Sequence, residues 1–187
     1  MSAAGAKRSI RYSVPKGNDG ISEMTPGPAE LDRNLLGDRG ESILKFVLLT
    51  FHGKAPLFRP ADLGGKWPVA DYVVELLGKP GRFFLIQVKS TQRGIQKNGR
   101  LRIQVGMDKY NALASTTVPR YIVGIDDAKE DAYICAARTC RTSQLSSLTT
   151  AHSLKLPQTR RILFEEVDAF WKAVGRKHFS SSAFSDK

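Results

Sequence analysis

Three observations predict a mixed α/β fold. Leu44, Val47, Leu48 and Phe51 recur at helical spacing, which marks a helix. Two apolar, β-rich runs follow, Val69–Leu77 and Arg82–Lys89, joined by the turn chemistry of Gly78-Lys79-Pro80-Gly81. A second helical segment then precedes a continuous apolar run, Tyr121–Ile125, of the kind that forms a buried strand. From Asp38 onward the order reads helix, three strands, helix, strand, strand.

Composition bounds the possibilities. A chain of 187 residues suits one domain with extensions, and 41% hydrophobic residues are enough for a sizeable core. No apolar run is long enough to span a bilayer, and the N-terminus lacks the apolar centre of a signal peptide. A cytoplasmic location without membrane partners is therefore expected. Cys135 and Cys140 lack metal-site spacing and read as reduced thiols rather than a structural disulfide. The net charge of +11 favours a polyanionic partner, most often nucleic acid, over a merely solvated basic surface.

The elements follow in order. Residues 1–27 mix Ser, Gly, Pro and Lys around Lys7, Arg8, Arg11 and Lys16, and read as a basic, flexible arm. A core from 28 to 140 begins with a short helix from Pro28 to Leu36, interrupted at Gly37. A stronger helix runs from Asp38 to His52 and stops at Gly53. Ala55–Pro60 is a short strand and residues 62–68 a Gly-rich loop, before the hairpin of Val69–Leu77 and Arg82–Lys89. Asn98-Gly99 signals a second small hairpin between residues 94–96 and 101–105. Met107–Ser115 reads as a helix, and Tyr121–Ile125 and Ala132–Ala137 as strands around an acidic turn. Residues 141–187 read as a helical extension. It has a short helix at Ser143–Leu148 and a longer one at Phe164–Val174, with Gly175 as its stop.

The familiar catalytic signatures are missing. His52, His152 and His178 lie at neither metal-ligand nor triad spacing. Gly64-Gly65-Lys66 lacks the rest of a P-loop, and no Gly-x-Ser-x-Gly elbow occurs. What stands out is polar residues in the apolar hairpin: Asp71, Gln87 and Lys89. Gln87 and Lys89 share one strand face. Whether Asp71 joins them depends on the turn. A four-residue loop sets it opposite Val88, on the wrong face. A three-residue loop with a left-handed Gly81 sets it opposite Lys89. A one-residue slip or a bulge switches between the two. The cluster also reads as an ion pair of Asp71 with Lys89 at a sheet edge. Glu41 sits on or beside the buried face of the first helix, and Asp38-Arg39-Gly40-Glu41 also has the spacing of a capping box. The polar segment after the hairpin carries Arg93, Lys97, Arg100 and Arg102, suited to a phosphate backbone.

Glu41 in Gly40-Glu41, Asp71 in Val69-Ala70-Asp71 and Gln87-Val88-Lys89, in this order, resemble the motifs of the PD-(D/E)XK nuclease superfamily. Residues 35–140 carry the likeness. The continuation Ser90-Thr91 is similar to an uncharacterised bacterial subgroup in which Q-V-K-S/T is usual. The resemblance implies a restriction-endonuclease-like core (α-β-β-β-α-β), a mixed sheet flanked by helices, and the hairpin register that brings Asp71 to Lys89. It implies a metal-dependent endonuclease acting on phosphodiester bonds, DNA favoured, in a defence or mobile-element setting. Mg²⁺ or Mn²⁺ would be held by Glu41, Asp71 and the Gln87 side-chain oxygen, beside Lys89. Cutting both strands of a duplex calls for two sites, hence a homodimer. Two departures stand: Gln87 replaces the usual acid, and Ala70 the usual proline. They leave open an inactive nucleic-acid-binding or regulatory subunit on the same scaffold. Asp62 is a second-choice motif aspartate, and Glu75 an auxiliary ligand.

Overall fold

The computed structural model describes residues 28–64, 67–115, 117–139 and 145–181. The expected basic arm, residues 1–27, lies outside them. The described residues form a mixed α/β fold with three α-helices: α1 (Pro28–Leu49), α2 (Met107–Ala114) and α3 (Pro157–Ser181). The strands among the described residues are β1 (Phe58–Asp62), β2 (Tyr72–Leu76), β3 (Phe83–Thr91), β4 (Arg100–Gln104), β5 (Arg120–Asp126), β6 (Asp131–Ala136) and β7 (Leu145–Thr149).

The main sheet has the order β1-β2-β3-β5-β6, and β4 pairs with β7 in a separate ribbon. β3 and β5 run parallel and the other pairs are antiparallel, so the sheet is mixed. Parallel neighbours need a crossover, and β4 with α2 supplies it. Alternation along the strands then builds two apolar layers. Tyr72, Val74, Phe84, Ile86 and Val88 face Leu44, Val47 and Leu48 of α1 and Leu163 and Val167 of α3. Ile122 and Tyr133 face the other way, into a smaller cluster with Leu101, Ile103, Leu113 and Leu148. A Cβ on Gly124 of β5 would stand 2.5 Å from a Leu148 methyl, so the ribbon lies directly against β5.

Several expectations need correction. The first two helices are one. α1 runs unbroken through Gly37 and Gly40, because its buried face is packed against the sheet and outweighs glycine's weak helix propensity. Residues 145–149 form a strand, not a helix, because β4 offers a pairing partner from Arg100 to Gln104. The second hairpin survives as a single bridge between Ile95 and Leu101. Gly175 lies inside α3, not at its end. The C-terminal segment, read as an extension, contributes Leu154, Leu163 and Val167 to the main core. Trp171 Nε1 donates to the Phe83 carbonyl at 2.8 Å, and Arg82 pairs with Asp168, which ties α3 to the hairpin. Cys135 of β6 is disulfide-bonded, against the expected reduced thiol, and the other cysteine, Cys140, lies outside the described residues. Among the described residues no helix is long and apolar enough to cross a membrane.

Candidate active site

The hairpin that carries the site closes differently from both registers open to the sequence. Tyr72 stands opposite Ile86 and Glu75 opposite Phe83. The Leu76 N–H reaches the Arg82 carbonyl at 2.9 Å, so the loop spans Leu77 to Gly81. Gly78 and Gly81 both take positive φ, at 77° and 75°, which favours glycine at these positions. Continuing this ladder would set Asp71 across from Gln87, not from Val88 or Lys89. The Asp71 N–H instead donates to the Ile86 carbonyl at 2.8 Å, the residue already opposite Tyr72. Two residues of one strand thus address one of the other, as in a β-bulge, and the Asp71 side chain is re-aimed.

Its carboxylate is held from β3. Asp71 Oδ2 accepts the Val88 N–H at 2.6 Å and a hydrogen bond from Gln87 Nε2. Gln87 is only 2% exposed, in a strand flanked on both sides, so its amide must find partners within the protein. Asp71 and Lys89 make no ion pair within 4 Å, and β3 is central, not an edge. The edge ion-pair reading therefore falls.

Glu41 arrives from α1. Asp38 lies well inside that helix, so the capping-box reading falls too. Gly40 lets the helix lie against Ser90 of β3, and this contact places Glu41 above the end of β2. The Tyr72 hydroxyl makes a long hydrogen bond, 3.5 Å, to Glu41 Oε2. Glu41, Asp71, Val88, Lys89 and Ser90 line one cavity of about 290 Å³, with Arg33 at its wall.

The electrostatics are those of acids crowded in a partly dry cleft. Burial raises Glu41 above its usual 4.5, and the charges of Asp71, Asp62 and Asp38 push the same way. Burial also raises Asp71; the Val88 N–H and Lys89 oppose this. Burial lowers the Lys89 ammonium, and Asp71 opposes that. Tyr72 is pushed up to about 12 by burial and by Glu41.

The remaining expected residues are dispersed. Asp62 ends β1 opposite Tyr72 and accepts the Gly64 N–H at 2.6 Å. It does not line the cavity, but its charge acts on Glu41 and Asp71. Glu75 sits at the far end of β2, roughly 13 Å along the strand from Asp71, and pairs with Arg59. It is not at the site. Arg93 and Lys97 are exposed in the loop after β3, and Arg100 and Arg102 project from the exposed side of β4. None of these four cations lines the cavity. The cation that acts on both Asp71 and Lys89 is Lys109 of α2. Sequence reasoning missed it, because on an amphipathic helix it reads as an ordinary solvent-facing lysine.

Among the described residues no group of three or more His, Cys, Asp or Glu side chains is placed to hold a metal ion. Glu41 and Asp71 do share a cavity, and the Asp71 charge helps to raise Glu41. Two carboxylates with retained waters are an ordinary Mg²⁺ donor set, completed by substrate phosphate. The residues present therefore fit a hard divalent cation. Gln87 is not among the cavity residues, and it presents its amide nitrogen, not its oxygen, to Asp71.

No family model matches the chain, and neither a curated protein nor a solved structure matches it.

Proposed function

We propose that the protein is a metal-dependent nuclease that hydrolyses phosphodiester bonds, DNA favoured, on a restriction-endonuclease-like core of the PD-(D/E)XK type. The observation that carries this reading is the convergence of Glu41, Asp71 and Lys89 on one cavity from a helix and the two strands of a hairpin. The order of elements, and a parallel β3–β5 pair joined by a crossover, agree with that core. A basic chain of +11 suits a polyanionic substrate.

In this reading Glu41 and Asp71 hold Mg²⁺ or Mn²⁺ in the cavity. When bound, the cation supplies Lewis acidity toward a phosphoryl oxygen and acidifies water. Lys89, anchored on the central strand, keeps a positive charge beside the carboxylates. It orients the attacking water and stabilises charge on the non-bridging phosphate oxygens. Burial lowers its proton affinity, and the Asp71 and Glu41 charges oppose that. Arg33 at the cavity wall, and Lys109, whose charge acts on Asp71 and Lys89, add positive potential. Arg93, Lys97, Arg100 and Arg102 contact backbone away from the reacting phosphate and do not read bases.

The test is cleavage of plasmid DNA by the full chain with Mg²⁺ or Mn²⁺. Asp71→Ala and Lys89→Ala should abolish cutting while DNA binding persists. Equal cleavage by wild type and Asp71→Ala would sink the assignment. A second reading, a nucleic-acid-binding or regulatory subunit without catalysis, is favoured by the amide at Gln87 where the family pattern has an acid. It predicts salt-sensitive binding and no metal-dependent cleavage.

A further inference from the structure

Gln87 poses the sharpest problem in the site. A polar side chain in the middle of a central strand, 2% exposed, is costly to bury unless its hydrogen bonds are made. Its β5 neighbour is Ile122, so that strand offers no polar partner there. The partner is Asp71. Nε2 donates to Oδ2, the oxygen that also accepts the Val88 N–H, and Nε2 lies 3.3 Å from the Val88 carbonyl. A carboxylate only accepts, so an amide beside it presents nitrogen, not oxygen. Both bonds to the Asp71 carboxylate fall on Oδ2. Among the described residues no hydrogen bond falls on Oδ1, and Asp71 lines the cavity while Gln87 does not.

We propose that Gln87 is a positioning residue and not a metal ligand: with the Val88 N–H it clamps Asp71 Oδ2 and turns Oδ1 toward the cavity shared with Glu41. This rests on the metal site proposed above and deepens it. The chemistry accounts for the amide. An ionised acid at position 87 would set a second negative oxygen against Oδ2, and only its protonated form could donate. Glutamine donates at every pH. The cation is then held by two carboxylates, and the amide acts one step behind them. Such outer partners of metal-holding groups set affinity by fixing ligand orientation.

The test is NMR on the full chain, labelled with ¹³C and ¹⁵N and titrated with Mg²⁺ alone. Without metal, the Gln87 side-chain NH₂ protons should be protected from exchange, and Asp71→Ala should remove that protection. With Mg²⁺, the Asp71 carboxyl carbon should shift, while the Gln87 amide carbon stays in place and its NH₂ remains protected. Gln87→Leu, checked for folding by circular dichroism, should weaken Mg²⁺ binding by about 10-fold or more. A Gln87 carbon that moves with Mg²⁺ as its NH₂ loses protection makes it a ligand and overturns the proposal. So does an unprotected NH₂ in the metal-free chain, or undiminished affinity in a folded Gln87→Leu. If Mg²⁺ shifts neither residue, the metal site itself fails and takes the positioning role with it. The protection measured without metal then still reports whether the clamp exists, so the two failures are told apart.

Discussion

Gly40 of α1 and Ser90 of β3 approach so closely that a Cβ on Gly40 would stand 1.7 Å from the Ser90 Oγ. The contact seats the helix on the strand one residue from Glu41 and one residue from Lys89. A glycine that weakens the helix locally is what allows a helix carboxylate and a strand lysine to line the same cavity.

Gly40→Ala should therefore destabilise the fold. Overpacking costs about 1–3 kcal/mol, against about 1 kcal/mol of helix propensity gained. Urea unfolding should show a lower midpoint, and Ser90→Gly in the same chain should recover part of the loss. A Gly40→Ala variant more stable than wild type would show that the contact does not constrain the helix.

Glu41 gives a pH-dependent prediction. Its folded pKa is raised, first by burial and then by Asp71 and other acids. Below the usual 4.5 both folded and unfolded chains carry a neutral carboxyl. As pH rises from there, the unfolded chain releases its proton first, so stability is lost up to and through the folded pKa. Glu41→Gln should raise the melting temperature near neutral pH without metal, and the gain should vanish toward pH 4. Mg²⁺ should stabilise the wild type more than the variant. A variant less stable than wild type at neutral pH contradicts the crowding of charge around Glu41.

Arg100 and Arg102 project from the same exposed side of β4, two residues apart. If they contact backbone phosphates, replacing both by Ala should reduce the slope of log affinity against log salt by about 2. Binding should weaken to a similar degree on unrelated DNA sequences. An unchanged slope removes β4 from the nucleic-acid interface.

Leu163 of α3 is buried in the main core with Val74 and Phe84. Leu163→Ala should cost about 2–5 kcal/mol, and the whole chain should still unfold in one transition. A separate, earlier transition would mean that the C-terminal segment is an appendage after all.

Much of this architecture was legible in residue patterns. Helical spacing at Leu44, Val47 and Leu48, two β-rich runs around a glycine turn, and the apolar run at Tyr121–Ile125 mark their elements through short-range sterics and face alternation. The charged and polar residues Glu41, Asp71 and Lys89 stand out in the sequence because such groups are costly to place beside apolar faces without a purpose. What residue patterns leave open was decided by contacts distant in sequence. Residues 145–149 become a strand because β4 has unpaired backbone groups to offer. α1 crosses two glycines because the sheet buries its apolar face. The hairpin takes a register that neither loop length considered from sequence provides, because a bulge at Asp71 and a longer glycine-bounded loop change the count. That register, a matter of backbone hydrogen bonds and not of side-chain identity, is what sets Gln87 against Asp71.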